Sequence, residues 1–168
     1  MSAHLRLSPF DLYIDPLLDL QDRRLRELLG YWNGKRSGRA MPARADVSPG
    51  DIVGHLPSIF LIGAEPPAVS PRNFRVRLMG TALNELFAAD FTGRTLDDGM
   101  SAKAASVTAK VLGIVCELRR PLRLHGSASF GEDRAMTEIE LIYLPLSVGG
   151  AGAEMVMGEL VKRASPES

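Results

Sequence analysis

The sequence predicts an α+β fold: an antiparallel sheet with helices covering one face. Three observations predict it. Apolar residues recur at helical spacing in two long segments, 15–32 and 101–120. Short β-rich or alternating runs fall at 58–65, 73–80, 122–130, 135–146 and 154–161. The last three runs are separated by short turns with no helical crossover between them, so those strands must run antiparallel.

The first helix is expected over 15–32. Asp15 is a suitable N-cap and Pro16 suits the first helical position, where a backbone N–H would have no partner. Leu18, Leu25, Leu28, Leu29 and Trp32 form one apolar stripe, with Asp19, Asp22, Arg23, Arg24 and Arg26 mostly off it. Gly34 and Gly38 end the helix, and a Pro-rich stretch (Pro42, Pro49, Pro57) reads as an irregular connector. "SIFLIGAE" (58–65) and "NFRVRLMG" (73–80) follow as a hairpin. In the second, Phe74, Val76 and Leu78 alternate with Arg75, Arg77 and Met79, which marks a half-buried strand.

"TALNELFAAD" (81–90) predicts a short helix with Thr81 as N-cap, and "FTGRTLDDG" a loop or single turns. The second long helix, 101–120, places Ala104, Val107, Val111, Leu112, Val115 and Leu118 on its inner face. Arg119 and Arg120 suit its C-terminal dipole, and Pro121 stops it. The three closing strands are linked by the turns "GED" and "SVGGAG".

The totals restrict function. The chain has 168 residues, 45% of them apolar and 24% charged, which fits one globular domain with a proper core. Twenty basic residues balance twenty acidic ones, which argues against a nucleic-acid partner. One cysteine, Cys116, makes no internal disulfide, and three scattered histidines give no metal set. No apolar run is long enough for a signal peptide or a membrane span, so the expectation is a soluble cytoplasmic protein without membrane insertion.

The element order, with "YWNGKRSGRAMPARADVSPGDIVGHLPSIFLIG" (31–63) and "FRVRLMGTALNELFAADFTGRTLDD" (74–98), resembles the PAS superfamily. The resemblance is to a bacterial family of stand-alone, single-domain PAS proteins, the type-5 family. It continues more weakly through "RRPLRLHG", "EIELIYLPL" and the final strand. It implies a PAS fold: a five-stranded antiparallel sheet of order 2-1-5-4-3 with flanking helices and an N-terminal helix. The expected organisation is a flexible N-terminus (1–14), the N-terminal helix and connector (15–57), the PAS core (58–162) and a tail (163–168).

The resemblance also implies a sensory or regulatory role in signal transduction rather than catalysis, with a small ligand in the cavity between sheet and helices or a protein partner contacted in trans. Met79, Leu86, Phe87 and Phe91 are where such a cavity would draw part of its lining. Leu112, Val115, His125 and Tyr143 are the remaining candidates. The same apolar residues would serve a packed, ligand-free core, so both readings stand. The stripe Leu18, Leu25, Leu28, Leu29 and Trp32 is the candidate surface for a homodimer or another protein, and it could equally pack on its own domain.

The basic connector Lys35, Arg36, Arg39 and Arg44 raises a rival, an effector that binds a cyclic dinucleotide or other nucleotide. A phosphate loop needs four residues between its first Gly and the Gly-Lys pair. Here Gly30 and Gly34 have three between them, and Lys35 is followed by Arg36. Asp46, Ser48 and Gly50 fall one residue short of the Asp/Asn-x-Ser-x-x-Gly element of the PilZ family, which leaves a solvated or ion-paired connector as the simpler reading.

The helices over 81–120 contain no histidine to ligate haem. Cys116 lies outside any context resembling the reactive cysteine of a covalent flavin sensor, and its apolar neighbours suit an inert thiol. Haem and covalent flavin are therefore not expected. No nucleophile elbow occurs, and Glu138 and Glu140, two apart on one strand face, read as an outer face rather than an acid–base pair.

Overall fold

The computed structural model describes residues 4–131, 134–150 and 152–163. One antiparallel sheet of seven strands forms its centre, in the order β1-β2-β5-β6-β7-β3-β4. In chain order these are β1 (Leu5–Arg6), β2 (Asp11–Asp15), β3 (Ile59–Ala64), β4 (Phe74–Met79), β5 (Leu122–Ala128), β6 (Thr137–Leu146) and β7 (Met155–Lys162). The helices are α1 (Arg23–Lys35), α2 (Thr81–Phe87), α3 (Leu96–Gly99) and α4 (Ala102–Leu118).

Five of the strands, β4-β3-β7-β6-β5, carry the 2-1-5-4-3 order expected from the sequence. The sheet has seven strands instead of five because the segment expected as a flexible N-terminus pairs with its edge. Asp11–Asp15 runs antiparallel to β5, with Tyr13 opposite His125 and Asp15 opposite Arg123. Covering β5 in this way removes an open edge from the longest part of the sheet.

The first helix begins later than its sequence signals indicate. Asp15 accepts backbone N–H bonds from Leu17 (3.0 Å) and Asp19 (2.9 Å), but it caps a turn at the end of β2. Leu18 then adopts a left-handed φ of 59°, which interrupts any helix. Asp22 is the actual N-cap, accepting from the N–H of Arg24 at 2.8 Å. Asp and Asn side chains cap turns and helices by the same bond, so local sequence alone does not separate the two.

α4 runs close to its expected span, capped by Ser101 and closed by Arg119 at a φ of 54°. α2 starts at Thr81, but its N-cap is Gly80, with no side-chain capping bond. The last strand reaches Lys162, and the N–H of Arg163 still bonds the Glu138 carbonyl at 2.8 Å. The rest of the expected tail, 164–168, lies outside the described residues.

Both faces of the sheet are covered, which corrects the expectation of helices on one face. Strand alternation sorts the residues. Phe60, Ile62, Leu124, Leu141, Tyr143 and Leu160 face α2 to α4 in one core. Ile59, Leu61, Ile142, Leu144, Leu146 and Met157 face α1 and the connector in a second core. Among the described residues, no helix is long and apolar enough to cross a membrane.

Candidate functional site

Between the sheet and α2 to α4 lies a cavity of about 620 Å³. Its floor includes Phe60, Ile62, Leu124, Leu141 and Tyr143, brought to one face by the two-residue period of their strands. α4 contributes Ala104 and Val107, and α2 contributes Leu83 and Phe87. Phe87 meets Phe91 and Phe130 edge to face, with ring centroids 5.6 and 5.0 Å apart. Arg134 ties the β5–β6 loop over this cluster by donating Nη1–H to the Leu86 carbonyl at 2.7 Å. Among the described residues, no side chain that lines the cavity carries a charge.

Four residues expected in the lining are there: Met79, Phe87, Phe91 and Tyr143. Leu86, Leu112 and Val115 are instead buried in the packed core beside it. His125 is on the opposite face, because β5 alternates and Leu124 takes the cavity side. Strand parity would have made that exchange from the sequence. Phe10 and Leu12, from the N-terminal hairpin, also line the cavity, and no sequence signal linked them to it.

Gly158 is required where it stands. It sits on β7 between Phe60 of β3 and Tyr143 of β6, and a Cβ there would run into the Phe60 ring. Its missing side chain lets Phe60 and Tyr143 meet at 5.6 Å between centroids. Burial pushes the Tyr143 phenol well up from 10.0, so it stays protonated.

The opposite face of the sheet holds a buried ionic cluster. Arg123 is 4% exposed, and Asp15 and Glu140 are both 0% exposed. Arg123 donates Nε–H to Glu140 at 2.6 Å and Nη1–H to Asp15 at 3.1 Å. Glu140 also accepts the backbone N–H groups of Gln21 (2.9 Å) and Asp22 (2.8 Å). These bonds explain why Glu140, expected on an outer face, is buried, while Glu138 remains exposed. His125 belongs here too, its Nε2 lying 2.9 Å from Nδ1 of His4.

A second buried carboxylate, Glu159, lies 2.8 Å from Nδ1 of His55. Burial pushes the Glu159 carboxyl up, and the His55 contact opposes this only in part. Asp15 behaves oppositely. Burial would raise its carboxyl, but the bonds from Asp19, Leu17 and Arg123 outweigh burial and hold it below 3.8. A carboxyl held down by folding stabilises the protein above its unfolded value and loses that contribution as pH falls through its folded value. Glu159 has the reverse sign, since its ionised form is disfavoured and acid relieves it. Urea titrations are therefore expected to show wild type losing stability below about pH 4, with a shallower loss in Asp15→Asn. Equal acid slopes would refute the assignment.

The candidate partner stripe lies largely inside the molecule. Leu25 and Leu28 are 0% exposed and Trp32 1% exposed in the second core, and the Trp32 indole N–H donates to the Pro145 carbonyl at 2.9 Å. Leu29 is half-buried against the same core, and Leu18 lies outside the helix. An apolar face already spent on its own sheet is not free for a partner, which corrects the expectation for Leu25, Leu28 and Trp32.

The basic connector is engaged locally. Lys35 pairs with Asp51 at 3.8 Å and Arg39 with Asp46 at 2.7 Å. Arg44 donates to the Val47 carbonyl at 3.1 Å, and the Arg36 guanidinium lies 5.6 Å from the Trp32 ring centroid. Arg36 also borders a hollow of about 360 Å³ with Arg119 and Arg120, where the C-termini of α1 and α4 meet. Cations suit the carbonyl ends of helices. Cys116 is half-buried, and burial pushes its thiol up to about 11, away from the reactive thiolate.

No curated protein matches the sequence. Among solved structures, an RNA-binding light-oxygen-voltage receptor is similar, with 13% identity and a TM-score of 0.48. The match covers 93% of this chain and 40% of the receptor's chain, so this chain spans less than half of that protein's length. A PAS domain family model, type 5, matches residues 20–161. That span holds α1 and the five strands in 2-1-5-4-3 order, while β1 and β2 precede it. The chain therefore belongs to the PAS domain family, whose members are sensory and regulatory modules.

Proposed function

We propose that this PAS domain is a non-catalytic sensor whose input is a small, mostly apolar molecule in the cavity and whose output is a change in protein contacts. The observation that supports this reading is the cavity itself. Protein interiors pack with few voids larger than a water molecule. A volume of about 620 Å³ falls within the roughly 300–1,000 Å³ of small-molecule pockets. Apolar walls provide the driving force for such a ligand, since burying its hydrocarbon surface is favourable.

The experiment uses N-phenylnaphthylamine, an apolar dye whose emission rises when it leaves water. The wild-type chain is expected to bind it saturably. Ala104→Trp, which sets an indole into the cavity from α4, is expected to weaken binding at least about tenfold. A wild type that leaves the dye dark, or a filled variant that binds equally well, would reject the proposal.

A further inference from the structure

We infer that Tyr143 reads the ligand, and that the ligand is a neutral, largely hydrocarbon molecule carrying one hydrogen-bond acceptor such as a ketone or ester carbonyl. This rests on the cavity reading above and deepens it. Tyr143 lines the cavity floor and is 4% exposed, yet its hydroxyl has no hydrogen-bond partner among the described residues. The buried side-chain polar atoms that lack a partner among the described residues are Asn84 Oδ1 and Glu159 Oε2; the Tyr143 hydroxyl, unpaired but not sealed off, opens on the cavity and is available to a group that occupies it.

The surroundings offer no internal substitute. Tyr143 faces Leu122 across β5 and Gly158 across β7, with Leu141 two residues away on the same face. The other hydroxyls of the lining are mostly committed. Ser101 accepts the Ala104 N–H as the α4 cap, and Ser129 donates to the carbonyls of the β5–β6 loop. Thr108 stands on the half-exposed wall of α4, away from the strand floor. Tyr143 is therefore the hydrogen-bonding side chain on the strand floor of a mostly apolar chamber.

The expected ligand class follows from what the walls contain and lack. A phenol donates more strongly than it accepts, and a carbonyl oxygen satisfies it without bringing a second donor that would itself need a partner. Among the described lining residues there is no Lys, Arg or His to pair with a carboxylate and no Asp or Glu to pair with an ammonium. A charged ligand would lose its hydration with nothing to replace it.

A matched set of probes tests this: 2-dodecanone, dodecane and dodecanoate, each competing against N-phenylnaphthylamine. The ketone is expected to displace the dye at about tenfold lower concentration than the alkane. Tyr143→Phe, which removes only the hydroxyl, should erase that preference while leaving dodecane binding unchanged, which also shows that the variant is folded. Dodecanoate should bind more weakly than the ketone. Equal binding of ketone and alkane by wild type overturns the inference. So does a preference that survives in Tyr143→Phe, or dodecanoate binding tighter than the ketone. Alkane binding without ketone preference removes the role of Tyr143 but leaves the cavity reading standing, whereas failure of every probe and of the dye ends both.

Discussion

Replacing Arg123 with methionine is expected to cost the fold about 3–5 kcal/mol, because it strands two carboxylates away from water with no cation between them. Asp15 and Glu140 are both fully buried, and Arg123 contacts each. Their backbone N–H bonds would remain but would not neutralise two negative charges. A domain of this size is stable by only about 5–15 kcal/mol, so the loss should lower the melting temperature by roughly 10 °C. The double variant Arg123→Met, Glu140→Gln should recover part of the loss, since it removes one of the stranded charges. Chemical and thermal denaturation measure both. A change under about 1 kcal/mol for the single variant would show that water reaches the cluster and that the pair adds little.

The second large effect is expected at Trp32. Its side chain fills the second core and bonds the Pro145 carbonyl through the indole N–H, so Trp32→Ala should cost about 3–5 kcal/mol. The position of the residue makes this informative beyond its size. If Trp32 served an interface between copies, the loss would depend on protein concentration, because association is linked to folding by mass action. Packed on its own sheet, it should produce the same loss in dilute and concentrated samples. Urea midpoints at two concentrations decide, and a loss that appears only in the concentrated sample would restore the partner surface.

The contrast between these two sites shows what was legible beforehand. The stripe containing Trp32 is a regular helical pattern, so the sequence shows that Leu25, Leu28 and Trp32 must be covered. It does not show what covers them: a sheet, a second copy and another protein all satisfy the same stripe. The Arg123 cluster gave no such pattern. Asp15, Arg123 and Glu140 are 108 and 17 residues apart and meet only because β2, β5 and β6 are adjacent in the sheet. Each alone resembles an ordinary surface residue.

The cavity divides in the same way. Met79, Phe87, Phe91 and Tyr143 were found from the apolar inventory and the family resemblance, and all four line it. Leu86, Leu112 and Val115 come from the same inventory but pack beside it, because lining and core draw on the same residue types. His125 failed on strand parity, which is local and could have been applied. Phe10 and Leu12 could not have been found locally, since they arrive on a hairpin that precedes the family match.

The sequence by itself determined the order of the long helices and the five later strands, the stop of the second long helix, the antiparallel closing strands and membership of the PAS family. These are written in short-range terms, through periodicity, caps and turn residues, and their information spans a few neighbouring positions. Only the tertiary structure decided that the N-terminal segment completes the sheet, that α1 spends its apolar face on β6 and its neighbours, and that Tyr143 lines an open cavity with no hydrogen-bond partner among the described residues. An apolar stripe, an edge strand or a hydroxyl states a requirement for a partner, and which group fulfils it depends on residues a hundred positions away.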